Sequence, residues 1–197
     1  MLSRDAELRE LRQAAEQQGI EVFGEGNLSA PLMLVGEAPG QVEVERGRPF
    51  QGPAGRVLDE LLDRLAIPRS ELYITNVVKI RPYVENGRNR VNRPPRAGEV
   101  HAFSWILDRE IAIVRPRVIV CLGAVAANAL IHPKFALKQD RGRWFEGPEG
   151  ARILATYHPS YLLRLRGPDY EVARDATAAD LAKAWAAAQE PRRATAW

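Results

Sequence analysis

This sequence has only one cysteine, no long apolar run and little net charge. Its single cysteine, Cys121, excludes an internal disulfide and any metal cluster held by the cysteines of one chain alone. Cys121 sits within Val118-Ile119-Val120-Cys121-Leu122 and reads as a small core side chain. No apolar run approaches the roughly 20 residues of a bilayer-spanning helix. The opening Met1-Leu2-Ser3-Arg4-Asp5-Ala6-Glu7 carries acids and no apolar stretch, so no secretory signal is expected. These absences fit a cytoplasmic protein. Phosphate-binding fingerprints are missing too. Gly36-Glu37-Ala38-Pro39-Gly40 has neither the Lys-Ser/Thr pair of a P-loop nor the dinucleotide spacing. Pro39 also removes an N–H that a phosphate cradle would use.

What is present is a chain of 197 residues, 46% hydrophobic and 27% charged, enough for one soluble domain with a substantial core. The net charge of +3 is modest but unevenly placed. Between Lys79 and Arg96 the chain carries Lys79, Arg81, Arg88, Arg90, Arg93 and Arg96 against Glu85 alone. Interspersed Pro, Gly and Asn predict a loop there. Such a loop can bind phosphates through counterion release. It reads equally well as a solvated surface.

Hydrophobic spacing predicts helices over 5–18, 54–65, 99–114, 123–131 and 177–189, with a frayed tail over 190–197. Short apolar runs predict strands over 32–36, 72–78, 117–122, 144–145 and 152–156. Alternation of the two implies parallel pairing through crossovers. The expected fold is an α/β protein, a three-layer α/β/α sandwich around a central, mainly parallel four-stranded sheet, in a single domain spanning 1–197. In such sheets ligands bind beyond the carboxyl ends of the strands. Gly36 to Gly40, Asn76, and Tyr157-His158-Pro159-Ser160 all follow strands and should converge on one edge.

Each feature alone has an ordinary reading. The Gly36–Gly40 turn is as readily structural, bringing backbone and Glu37 against a flat ligand in the alternative. His158 can donate a hydrogen bond to an oxygen that gains charge in a reaction, and it is equally a satisfied structural histidine. Phe50, in Gly47-Arg48-Pro49-Phe50, is by itself a core aromatic.

Taken together, the segments resemble the uracil-DNA glycosylase superfamily, closest to family 4, from about Phe23 to Arg164. The resemblance runs through Phe23-Gly24-Glu25-Gly26-Asn27, Val35 to Gly40, Gly47-Arg48-Pro49-Phe50-Gln51-Gly52 and Ala54-Gly55. It continues through Tyr73-Ile74-Thr75-Asn76-Val77-Val78-Lys79, Val118 to Ala124, and His158-Pro159-Ser160-Tyr161-Leu162-Leu163-Arg164. It implies hydrolysis of the N-glycosidic bond of a flipped-out base, because the target atoms are inaccessible in a stacked duplex. Phe50 is then expected to stack on the base, and the Asn76 amide to read uracil N3–H and O4. His158 is expected to stabilise charge on O2. Glu37, with Gly36 and Ala38, forms the pocket wall and positions water. Leu162 fills the gap in the base stack. Lys79, Arg88, Arg90, Arg93, Ser160 and Arg164 hold phosphates. The implied partner is DNA carrying uracil or another deaminated base, met by a monomer associated with the nucleoid.

The resemblance also has departures. Ala38 stands where family 1 enzymes use an aspartate to orient water, a replacement that family 4 shares, and it implies weaker water activation. Gly40 stands where family 1 has a tyrosine that blocks thymine, so Glu43 is the expected source of thymine exclusion. Family 4 members place cluster-binding cysteines where this chain has Glu7 to Arg12, Ile80 and near Phe103. None is present, so no cofactor is expected and apolar packing should fill that corner. A covalently bonding relative of family 4 uses a histidine where this chain has Arg88-Asn89-Arg90-Val91-Asn92-Arg93, so turnover is expected rather than a stable adduct. The competing readings are a non-catalytic or weakly active DNA- or damaged-base-binding homologue and, less favoured, a nucleotide-binding enzyme of general doubly wound type.

Overall fold

Strands that are buried on both faces read as near-continuous apolar runs, and the segments centred on Leu34, Ile74, Val120 and Leu154 have that character. A computed structural model of the protein, describing residues 2–191, turns them into the middle of a sheet. In chain order the elements are α1 (Arg4–Ala15), β1 (Glu25–Gly26), β2 (Leu32–Gly36), α2 (Gln41–Arg46), α3 (Pro53–Arg64) and β3 (Leu72–Asn76). Next come β4 (Tyr83–Asn86), β5 (Asn89–Asn92), α4 (Ala97–Val114), β6 (Val118–Leu122), α5 (Ala124–Leu130) and α6 (Leu137–Asp140). The chain continues with β7 (Phe145–Glu146), β8 (Arg152–Thr156), α7 (Pro159–Leu162) and α8 (Gly167–Gln189).

The sheet order is β1-β3-β2-β6-β8-β7. Its four central strands are parallel, as expected, and the two short edge strands β1 and β7 are antiparallel additions. Period-two alternation sends each strand's side chains to opposite layers. Met33, Val35, Tyr73, Ile119 and Cys121 face a core shared with α1, α4 and α5. Leu32, Leu34, Ile74, Val120 and Leu154 face a second core with α3 and α8. The three-layer α/β/α sandwich follows.

Two elements differ from expectation. The basic segment is not simply a loop: β4 and β5 form a hairpin, paired from Tyr83↔Asn92 to Asn86↔Asn89. Its two-residue turn takes Gly87 to φ 62, which glycine adopts without steric cost. Helix α8 begins ten residues before the expected 177. Its first turns have little buried surface (Val172 is 71% exposed), so they carry no apolar periodicity to read. Pro168 at the helix start is a start signal that looks like a break in sequence. Of the tail expected over 190–197, residues 192–197 lie outside the described residues.

Candidate active site and nucleic-acid interface

The parallel register sets Gly36 at the end of β2 beside Asn76 at the end of β3. On the other side of the sheet centre, β8 ends at Thr156 and runs into His158. A cavity of about 480 Å³ opens on this edge. Glu37, Ala38, Gly40, Glu43, Phe50, Asn76, His158, Ser160 and Arg164 all line it, so one edge gathers residues more than a hundred positions apart. Its size falls within the range of small-molecule sites.

Phe50 enters the site in an unusual conformation. Its φ is 53°, which for a non-glycine residue costs on the order of 1–3 kcal/mol. Two features hold it there. A Cβ on Gly55 would lie 2.0 Å from the Phe50 carbonyl oxygen, so only glycine lets α3 approach this closely. The Glu43 carboxylate accepts hydrogen bonds from the backbone N–H of Gln51 (2.9 Å), Gly52 (2.6 Å) and Gly40 (3.1 Å). Glu43 therefore ties the Gly40 turn to the Phe50 loop. Both carboxylate oxygens are committed to backbone donors, and the side chain, expected as the source of thymine exclusion, borders the cavity in this fixed position.

The Phe50 ring lies 5.7 Å from the His158 ring, tilted by 31°. His158 Nδ1 accepts from the Ser160 backbone N–H at 3.1 Å and faces Ser160 Oγ at 2.8 Å. An accepting Nδ1 puts the ring proton on Nε2. Burial of the imidazole, with the positive Arg164 beyond it, pushes its pKa down to about 4. At neutral pH His158 is thus an uncharged Nε2–H donor. Glu37 moves the other way: burial raises its carboxyl above the ordinary value, and Arg164 partly opposes that. Among the described residues, none hydrogen-bonds the Asn76 amide, the Glu37 carboxylate or His158 Nε2. These groups are free to meet a ligand.

The residues expected to contact DNA divide. Arg88 and Arg90 are exposed on the hairpin, with the Arg90 guanidinium 4.5 Å from the centre of the Tyr83 ring. Arg164 is exposed at the cavity mouth. Arg93 is half-buried and held by two 2.7 Å bonds to Glu99, whose pKa falls to about 2 chiefly through that contact. Ser160 spends its hydroxyl on His158. Lys79 is a correction. It is fully buried and ion-paired to Glu110 at 2.6 Å, because Thr75, Asn76 and Glu110 satisfy its ammonium inside the core, and it presents nothing to a phosphate.

Leu162 is the second correction. In α7 it lies three positions after Pro159, and both point inward; Leu162 is 0% exposed in the core beneath α3 and α8. Leu163, 39% exposed, reaches the cavity rim instead. Helical spacing from the buried Pro159 was the signal for this, and two adjacent leucines hid it. Pro82, Asn92 and Pro94 at the hairpin base also line the cavity and carried no signal in the sequence.

The model of the Uracil DNA glycosylase superfamily matches residues 23–189. The chain belongs to this superfamily. A type-4 uracil-DNA glycosylase of Thermotoga maritima is 42% identical over 146 residues, covering 74% of this chain and 72% of that protein. A type-4 uracil-DNA glycosylase of Pyrobaculum aerophilum is 40% identical over 156 residues, covering 74% and 76%. A type-5 uracil-DNA glycosylase of the same organism is 33% identical over 156 residues, covering 70% and 64%.

The iron–sulfur cluster that family 4 implies does not fit the residues of this superfamily member. Leu8 and Leu11 of α1, Ile80 and Phe103 of α4 belong to one apolar cluster, where a cluster would need thiolates. Cys121 is fully buried in β6, and burial pushes its thiol pKa up, away from the thiolate a metal needs. Among the described residues no group of three or more His, Cys, Asp or Glu side chains is placed to hold a metal ion.

Proposed function

We propose that this protein is a monofunctional DNA glycosylase that removes uracil from DNA, as a single-domain monomer without a cofactor. The observation that carries the reading is the joint presence, in one cavity, of a stacking ring, an uncommitted amide and a neutral imidazole donor. The Phe50 ring stacks on the extruded base. The Asn76 amide donates to uracil O4 and accepts from N3–H, a pattern that cytosine reverses. As the C1′–N1 bond stretches, negative charge gathers on the uracil ring, and the His158 Nε2–H donates to O2. A donor aimed at developing charge is worth more in a site that excludes water than in solution.

Glu37 supplies the remaining step. Its carboxylate orients a water molecule whose oxygen bonds to C1′ while the C1′–N1 electron pair leaves with uracil. The water's proton passes through Glu37 to the departing uracil anion. Arg88, Arg90 and Arg164 neutralise phosphates around the flipped nucleotide, and Leu163 fills the vacated place in the stack. The basic hairpin and cavity belong at the chromosome, in the cytoplasm. No helix among the described residues is long and apolar enough to cross a membrane.

A strand-cleavage assay on DNA carrying one uracil, with alkali treatment of the product, tests this reading. Cleavage is expected from the parent protein and is expected to fall by about 100-fold or more in Asn76→Ala and His158→Ala. Absence of cleavage from both duplex and single strands, with binding retained, would favour a non-catalytic damaged-base-binding protein instead.

A further inference from the structure

One buried charged pair lies against the site without lining it. Lys79 and Glu110 are both 0% exposed and meet at 2.6 Å. The Lys79 ammonium donates to Glu110 Oε2 (2.6 Å), Thr75 Oγ1 (2.6 Å) and the backbone carbonyl of Asn76 (2.7 Å). Three acceptors match the three N–H groups of an ammonium, and a neutral amine would leave one unmet. Burial lowers the Lys79 pKa and the Glu110 carboxylate opposes that, so the charged form rests on this partner. Glu110 in turn accepts from Thr75 Oγ1 (2.8 Å), the Tyr73 hydroxyl (3.2 Å) and the Gly24 backbone N–H (2.9 Å). The network is closed, and its one contact with a residue of the cavity wall is the Asn76 peptide.

That contact comes at the last residue of β3. Beyond it, Val77 and Val78 donate backbone N–H groups to the carbonyls of Gly36 and Glu37, tying the strand end to the cavity turn. The Asn76 carbonyl is held separately, by Lys79 from the side of α4. A buried ion pair is weak grounds for stability, because well-packed apolar residues of similar volume often do as well or better. A recognition group, by contrast, must be held to within about 0.5 Å by groups that are themselves fixed. We propose that Lys79 and Glu110 are positioning residues that fix the Asn76 peptide and so aim the Asn76 amide at the base. The proposal rests on the base-reading role of Asn76 given above.

Lys79→Met with Glu110→Gln tests it. The amide brought in by Glu110→Gln keeps an acceptor for Gly24 and Tyr73 and gives Thr75 Oγ1 a donor in place of Lys79, so the Asn76 carbonyl loses its partner. Of the other groups, only the Thr75 hydroxyl hydrogen, which donated to Glu110 Oε2, must find a new acceptor. Single-turnover excision of uracil is expected to slow by roughly 10- to 100-fold. Binding to DNA carrying an abasic-site analogue, which offers no base to read, should stay within about 2-fold of the parent. Lys79→Gln with Glu110→Gln, which restores a donor for the carbonyl, should recover most of the rate. In an Asn76→Ala background the Met/Gln pair should cost less than about 2-fold more, since the group it aims is gone. A parent-like rate in Lys79→Met/Glu110→Gln overturns the proposal, and so does a full additional loss in the Asn76→Ala background. Loss of the folded circular-dichroism signal in both double variants also overturns it, making the pair a folding element. If Asn76→Ala itself excises uracil at the parent rate, the base-reading role fails and the positioning role falls with it. An inactive Asn76→Ala beside a fully active double variant overturns the positioning role alone.

Discussion

Gly36 and Asn76 lie side by side at the ends of neighbouring strands, and a Cβ on Gly36 would fall 2.4 Å from Asn76 Oδ1. The same Cβ would lie 2.6 Å from Phe50 Cζ. One methyl group would therefore push on the Asn76 amide and the Phe50 ring at once. Gly36→Ala is expected to reduce kcat/KM for uracil excision by about 100-fold or more, since misplacement near 1 Å has that effect in well-ordered sites. Its affinity for abasic-site DNA should be close to that of the parent. An alanine variant with parent-like kcat/KM would mean that the slot is wider than these distances.

The two titrating groups of the cavity give distinct pH signatures. Burial raises the Glu37 carboxyl above its ordinary 4.5, whereas His158 sits at about 4. As pH falls, Glu37 gains its proton first, while the imidazole is still neutral. The acid limb of kcat/KM, which reports the free enzyme, then belongs to Glu37 and lies above pH 4.5. Glu37→Gln is expected to lower the plateau and abolish that limb, and His158→Ala to lower the plateau and keep it. A rate that declines as pH rises from about 5 to about 7 would instead require a protonated His158 and contradict the neutral donor.

Strand ends and the residues following them were legible from sequence because two strong constraints coincide there. A buried parallel strand is nearly continuously apolar, and the ligand edge lies at its carboxyl end. Gly36 and Asn76 end such runs and His158 closely follows one, so their convergence is legible from the sequence. Side-chain direction was less accessible. Lys79 sits at the head of a basic stretch, and nothing local reveals that Glu110, 31 residues later, draws it inward. Glu43 shows the same limit, since its partners are backbone groups of a loop whose path depends on the left-handed Phe50. The hairpin was hidden by its own exposure: from Val84 to Asn92 every residue is open to solvent, so no buried face marks the alternation.

Adjacent leucines in and just after α7 should behave oppositely. Leu162 is enclosed by the core of α3 and α8, whereas Leu163 is 39% exposed at the cavity rim. Leu162→Ala is expected to cost about 2–5 kcal/mol of stability, read as a lower denaturant midpoint. Leu163→Ala should leave stability within about 0.5 kcal/mol of the parent. It should slow excision from duplex DNA several-fold and leave single-stranded substrate unaffected, because a wedge matters only where a stack must be held open. Equal losses on both substrates would remove Leu163 from that role.

Charge on the hairpin should be visible in the salt dependence of binding. Arg88 and Arg90 are exposed, so each can neutralise a phosphate and release a counterion, whereas Lys79 is buried against Glu110. On duplex DNA, each phosphate contact removed lowers the magnitude of the log Kd against log salt slope by about 0.9. Arg88→Ala and Arg90→Ala are each expected to reduce the slope by roughly that amount. Lys79→Met paired with Glu110→Gln should leave it unchanged, because the pair carries no net charge to the surface. A reduced slope in that double variant would mean that Lys79 leaves the core when DNA binds. Its contact with the Asn76 carbonyl would then be a feature of the free protein alone.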